Sequence, residues 1–221
     1  MKALLAGMVI LMIGDSHMTT PGYLITTLHD DLMKQGAVVY SFGACGANAG
    51  EWATEGEAPC GSASRIKGGP VKTDRSPSAS THPLSQLIST YKPNLVVIVL
   101  GDTMAGYTSP QLARAWIWDQ VSALTDEVKS SGTACAWVGP GWGTEGGSFG
   151  KTFVRVKEAS DYLSTITAPC YYINSLVFSK PGEWGTIDGQ HYNSAGYKNW
   201  GADIASVIDV LPPVKALSGQ Q

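Results

Sequence analysis

The sequence predicts an α/β protein, a three-layer α/β/α sandwich built around a parallel sheet, and three observations carry that expectation. Five short apolar runs recur along the chain, most of them too continuous to be strands with one wet face. Segments with helical periodicity lie between and after them, which implies right-handed crossovers and a sheet covered on both sides. Gly- and Asp-rich turns follow the runs, at the edge where open parallel sheets bind ligands.

The first strand is expected over residues 8–13. Met1, Lys2 and the apolar stretch 3–13 have the outline of an export signal, but no small-residue cleavage site follows, and the stretch passes directly into Gly14-Asp15-Ser16. A buried strand accounts for it better. The other strands are expected at 38–42, 95–100, 134–138 and 170–174. A helix is placed over about 22–35 with Gly36 as its stop, and others over about 151–166 and 195–210. The clearest helical pattern has Ser109 as N-cap, Pro110 at the first helical position, Leu112, Trp116, Leu124 and Val128 along one face, and Gly132 at the end.

The segment 43–82 breaks this rhythm. It is rich in Gly, Ser, Pro and Thr, and a loop of that length inside a compact domain is usually functional or disordered. It is read as an ordered, substrate-facing flap on a single domain covering 1–221. Four cysteines permit three pairings; local bridges Cys45–Cys60 and Cys135–Cys170 are preferred, with four free thiols as the alternative. No pair has CxxC spacing, and no credible metal cluster is visible.

Composition narrows the function classes. With 43% hydrophobic and 15% charged residues the chain can bury a substantial core, and a net charge of -3 gives it no electrostatic reason to seek nucleic acid. No apolar stretch reaches the roughly 18 residues that span a bilayer. No cofactor is called for, and the oligomeric state is left open.

The chemistry-bearing residues fall after the strands: Gly14-Asp15-Ser16-His17, Gly43-Ala44-Cys45-Gly46, Gly101-Asp102-Thr103, Gly139-Pro140-Gly141-Trp142, and Asp188-Gly189-Gln190-His191 before the last helix. A serine hydroxyl is a poor nucleophile until a base takes its proton, and neutral imidazole suits that task near neutral pH. His191 is the candidate base for Ser16, with Asp188 three residues earlier to hold its tautomer. The backbone N–H groups of Ser16 and Gly46 are candidate oxyanion donors. His191 as a core or capping histidine is the plainer alternative. His17 reads as a turn residue or a substrate contact, His29 as part of a solvated helix face, and His82 as exposed.

These blocks resemble the SGNH, or GDSL-like, hydrolase family over nearly the whole chain. The GDS block after the first strand and DxxH before the last helix carry the resemblance. It implies Ser16 as nucleophile, Asp188 and His191 as the rest of a triad, and Gly46 as the second-block oxyanion glycine. The fold it implies is a flavodoxin-like sheet of five parallel strands in the order 2-1-3-4-5. The third block departs from the family's Gly-x-Asn, because Thr103 stands at the asparagine position; Thr103 or Asn48 is the candidate replacement donor. Trp142 and Trp184, in loops at the same edge, are candidate platforms for a sugar ring or acyl group, or else packing residues.

The resemblance and the Gly- and Trp-rich loops imply a serine esterase acting on short acyl esters, acetate on a carbohydrate foremost, through an acyl-serine intermediate. A polysaccharide O-acetyltransferase is the alternative within catalysis. A catalytically idle carbohydrate-binding domain is the alternative outside it. The cysteines and a glycan substrate together suggest a secreted or periplasmic protein.

Overall fold

The computed structural model describes residues 4–218. Its first half runs β1 (Val9–Gly14), α1 (Thr27–Lys34), β2 (Val38–Ala44), α2 (Ala49–Ala53), β3 (Ser62–Ile66), β4 (Lys72–Asp74) and α3 (Leu84–Tyr91). The second half runs β5 (Leu95–Val99), α4 (Arg114–Ser131), β6 (Ala134–Val138), α5 (Phe153–Ile166), β7 (Tyr171–Ile173), α6 (Ser194–Ile208) and α7 (Pro212–Ser218). One sheet orders the strands β4-β3-β2-β1-β5-β6-β7.

The five strands β2-β1-β5-β6-β7 pair in parallel, in the 2-1-3-4-5 order. β1 shows why its sequence has no polar alternation. Ile10 and Met12 join a core with α1, α6 and α7, while Leu11 and Ile13 join one with residues of α2, α3, α4 and α5. Both faces are covered, so every side chain from Ile10 to Ile13 is fully buried.

The expected count of five strands needs correction. Segment 43–82, read as an ordered flap, contains α2 and a hairpin, β3 and β4, that extends the sheet antiparallel from the outer edge of β2. Short, Ser-rich strands such as Ser62–Ile66 become strands because β2 supplies their hydrogen-bond partners, with Tyr40 opposite Ile66 and Ala44 opposite Ser62. Bridges Cys45–Cys60 and Cys135–Cys170 are both formed. Among the described residues no helix is long and apolar enough to cross a membrane.

The start of α4 also differs from the sequence expectation. Ser109 and Pro110 lie in turns, and the helix begins at Arg114. Arg155 accounts for this, because its guanidinium donates to the carbonyls of Ala105, Gly106 and Ser109 at 3.1, 2.6 and 3.0 Å and holds them in a loop. The buried face becomes Ile117, Val121, Leu124 and Val128, leaving Trp116 41% exposed.

His29 is likewise not on a solvated face. It is fully buried between Ser41 Oγ at 2.6 Å and the Lys67 carbonyl at 2.8 Å. Burial, above other causes, lowers its pKa from 6.5 to about 4. Between those values the unfolded chain binds a proton that the folded chain does not, so this histidine's contribution to stability is lost as pH falls through that window. The loss is up to about 3 kcal/mol. Asp15, pushed up to about 6 by burial, acts with the opposite sign over much of the same range. The expected result is therefore a difference: His29→Gln gains Tm relative to wild type between neutral pH and pH 4, measured by thermal denaturation. A difference that stays flat with pH would contradict it.

Candidate active site

The site forms where β1, β2 and β5 end. After Gly14, Asp15 caps a single 3₁₀ turn, Ser16–Met18, by accepting from the His17 N–H at 3.0 Å. Two glycines let this turn sit against the sheet. A Cβ on Gly43 would lie 2.2 Å from the Met18 carbonyl oxygen, and one on Gly14 would lie 2.8 Å from that of Val99. The turn presents Ser16 at the carboxyl edge of the sheet, 7% exposed.

The loop before α6 brings in the partners. Asp188 Oδ1 accepts the backbone N–H groups of Gln190 and His191 at 3.0 and 2.7 Å, which folds the DGQH segment into a tight turn. Asp188 Oδ2 lies 2.6 Å from His191 Nδ1, and His191 Nε2 lies 2.6 Å from Ser16 Oγ. With the Nδ1 proton facing the carboxylate, Nε2 turns its lone pair to the serine hydroxyl. Burial works to raise the Asp188 pKa, but hydrogen bonds from the His191 backbone, the His191 ring and Gln190 outweigh it and leave the carboxyl below its ordinary value. Burial, helped by neighbouring His17, holds the His191 imidazole below 6.5 against the pull of Asp188.

A cavity of 440 Å³ opens beside these groups, lined by Ser16, Gly46, Thr103, Tyr107, Phe149 and His191, with the Cys45–Cys60 bridge on one side. Among the described residues the N–H groups of Ser16 and Gly46 have no acceptor. The Thr103 hydroxyl is buried and also without a partner. Gly46 has φ +85, a conformation that favours glycine. A separate 210 Å³ cavity under the β3–β4 hairpin, with His82 on its exposed rim, is not lined by Ser16.

Three of the candidates named from the sequence do not line this cavity. Asn48 does not line the cavity: its side chain caps α2, accepting from Gly50 and Glu51 N–H at 3.0 and 3.4 Å, while Glu51 accepts the Asn48 N–H at 2.7 Å. Trp142 is outside it too, because its indole N–H donates to the Leu176 carbonyl at 2.9 Å and its ring meets the edge of Phe153. Trp184 packs edge-on against Tyr192, next to the buried core. The aromatic walls are instead Tyr107 and Phe149, the latter with its ring centroid 5.6 Å from that of His191.

Beneath the site lies a buried polar cluster that the sequence did not announce. His17 bonds Asp102 through Nε2 and Tyr197 through Nδ1, each at 2.8 Å, and is 3% exposed. Asp102 also receives Lys151 Nζ at 2.8 Å and the Tyr107 hydroxyl. Burial favours a protonated Asp102, yet Lys151 and His17 overcome it and hold the carboxyl far below its usual range. A lysine after a Gly-rich run carries no periodic signal, so only the fold brings it to Asp102.

This three-layer architecture is the fold shared by the SGNH/GDSL-like hydrolases. Solved structures with the same fold include Axe2, an acetylxylan esterase from Geobacillus stearothermophilus (TM-score 0.60, 12% identity, 92% of this chain and 94% of that one). A GDSL-like lipase from Bacteroides thetaiotaomicron VPI-5482 also superposes (TM-score 0.57, 13% identity, 91% and 87%). No family model matches the chain. The chain belongs to the family of Protein BcsX from Komagataeibacter xylinus, with which it is 38% identical over 218 residues, spanning 98% of this chain and 82% of BcsX.

Proposed function

We propose that this protein is a serine esterase that removes short acyl groups, acetyl foremost, from an esterified saccharide, with Ser16 as nucleophile, His191 as base and Asp188 as its orienting carboxylate. The observation that carries the reading is the 2.6 Å contact between Ser16 Oγ and His191 Nε2 beside a cavity with unclaimed donors. As Ser16 attacks the ester carbonyl, its proton passes to Nε2, and Asp188 stabilises the imidazolium. The oxyanion is received by the N–H groups of Ser16 and Gly46, with the Thr103 hydroxyl in the third place. One such donor is worth about 3–4 kcal/mol of transition-state stabilisation. His191 then gives its proton to the leaving alkoxide, and water, deprotonated by the same nitrogen, releases the acid and restores Ser16.

Tyr107 and Phe149 close the cavity, and its volume of 440 Å³ suits a short acyl group with part of its alcohol. The acetyl and saccharide assignments draw on Axe2, an acetylxylan esterase sharing the fold. Export to an oxidising compartment fits the two disulfides.

The test is labelling with a fluorophosphonate probe followed by peptide mapping, together with acetate release from acetylated saccharides. Modification at Ser16 and free acetate are expected. Labelling elsewhere would refute the assignment of the nucleophile, and acetyl transfer to glycan without free acetate would refute hydrolysis. A pH profile adds a second check. Because His191 is held below 6.5 and must be neutral to act as base, kcat/KM should reach half its plateau at a pH under 6.5 on the acid side. A half-point well above that value would exclude His191 in this environment as the base.

A further inference from the structure

We propose that Lys151 is a positioning residue for this ester chemistry: by neutralising Asp102 under the cavity it sets the charge against which the His191 imidazolium and the oxyanion form. The proposal rests on the reading of Ser16 and His191 given above.

Three observations lead to it. Lys151 is 1% exposed, and lysine is almost never buried that far without a charged partner. Both oxygens of its partner are engaged: Asp102 Oδ1 takes Lys151 and Tyr107, and Oδ2 takes His17. The His17 ring centroid lies 5.1 Å from that of His191, and the next residue after Asp102 is Thr103, whose hydroxyl is a candidate oxyanion donor.

Stability supplies no reason for a charged pair here, since an apolar pair of similar volume generally serves as well. The reach of the charge does. The groups facing this cluster from the packed elements are Asp15, His17, Asp102, Lys151, Asp188, His191 and the Tyr107, Tyr192 and Tyr197 phenols, and Lys151 is the lysine or arginine among them. Without it, a bare carboxylate would stand beneath the place where a second negative charge develops. With it, the pair is neutral and Asp102 remains free to hold His17 and Tyr107.

Lys151 also ends the loop that frames the triad turn. It exchanges backbone hydrogen bonds with Gly146, and between them Ser148 N–H donates to the Asp188 carbonyl at 2.9 Å. A role as loop anchor alone and a role in setting charge therefore make different predictions.

The experiment uses the full chain as Lys151→Met, Asp102→Asn and the double variant, with para-nitrophenyl acetate kinetics as a function of pH and Tm for each. In Lys151→Met, kcat is expected to fall about 10- to 100-fold at neutral pH with KM moved by less than about threefold. Its profile should gain a new limb, with activity declining towards neutral pH as the released Asp102 ionises. The double variant should recover to within about tenfold of wild type and lack that limb, and it carries the test by itself if the single variants do not fold. A Lys151→Met profile of wild-type shape, or a folded double variant more than about tenfold slower than wild type, would overturn the proposal and leave Lys151 a loop anchor. Failure of the underlying reading looks different: Ser16→Ala would then match wild type.

Discussion

Ser16→Ala is expected to lower kcat for para-nitrophenyl acetate by roughly 10⁴- to 10⁶-fold, leaving only what the oxyanion donors and binding contribute. The variant removes one oxygen from a 7%-exposed side chain whose hydrogen-bond partner is His191, so the fold should be unaffected. His191→Ala should cost about as much, and the double variant little more than either, because the hydroxyl and the imidazole act as one unit. Asp188→Asn should cost roughly 10⁴-fold by presenting the wrong hydrogen-bonding group to Nδ1. Kinetics with thermal unfolding as the folding control make the measurement. Residual activity within tenfold of wild type in folded Ser16→Ala would remove the acyl-serine mechanism.

Loss of the Cys135–Cys170 bridge is expected to give the largest change in stability. The bridge ties β6 to the residue before β7 across a separation of 35 residues, with both cysteines buried. Chain-entropy reasoning for a loop of that size gives about 3–4 kcal/mol, or a fall in Tm of roughly 10 °C. Cys135→Ala with Cys170→Ala should show that fall while keeping its kcat at room temperature, because neither residue lines the cavity. The Cys45–Cys60 bridge closes a shorter span of 15 residues but borders the cavity beside Gly46, so its removal should alter kcat as well as Tm. Equal Tm with and without dithiothreitol would contradict both expectations.

Much of the sheet was legible because a strand buried on both faces has no polar positions, and that is a local property of runs such as 95–100. The β3–β4 hairpin was not. Its Ser- and Lys-bearing strands are weak on their own and exist through pairing with the edge of β2. α3 did leave a signal, with apolar residues at 84, 87, 88 and 91 at helical spacing between prolines at 83 and 93, but the sequence reading placed no element there.

In the site, Ser16, Asp188 and His191 were nameable because each sits in a short turn motif, and the fold brings all three together. The two tryptophan candidates took their packing alternative for a related reason. Trp142 and Trp184 belong to loops at the correct edge, yet a loop's position does not fix where an indole points; a carbonyl of Leu176 and the ring of Tyr192 decided that.

The sequence by itself determined the local chemistry: buried strands from unbroken apolar runs, turns from glycine and aspartate, and an Asp-x-x-His spacing that closes on itself through backbone N–H groups two and three residues away. Only the tertiary structure decided which side chains meet across distance. Ser16 and His191 are 175 residues apart, and Lys151 reaches Asp102 across 49. Contacts of that range depend on how sheet and helices pack, and no window of neighbouring residues encodes them.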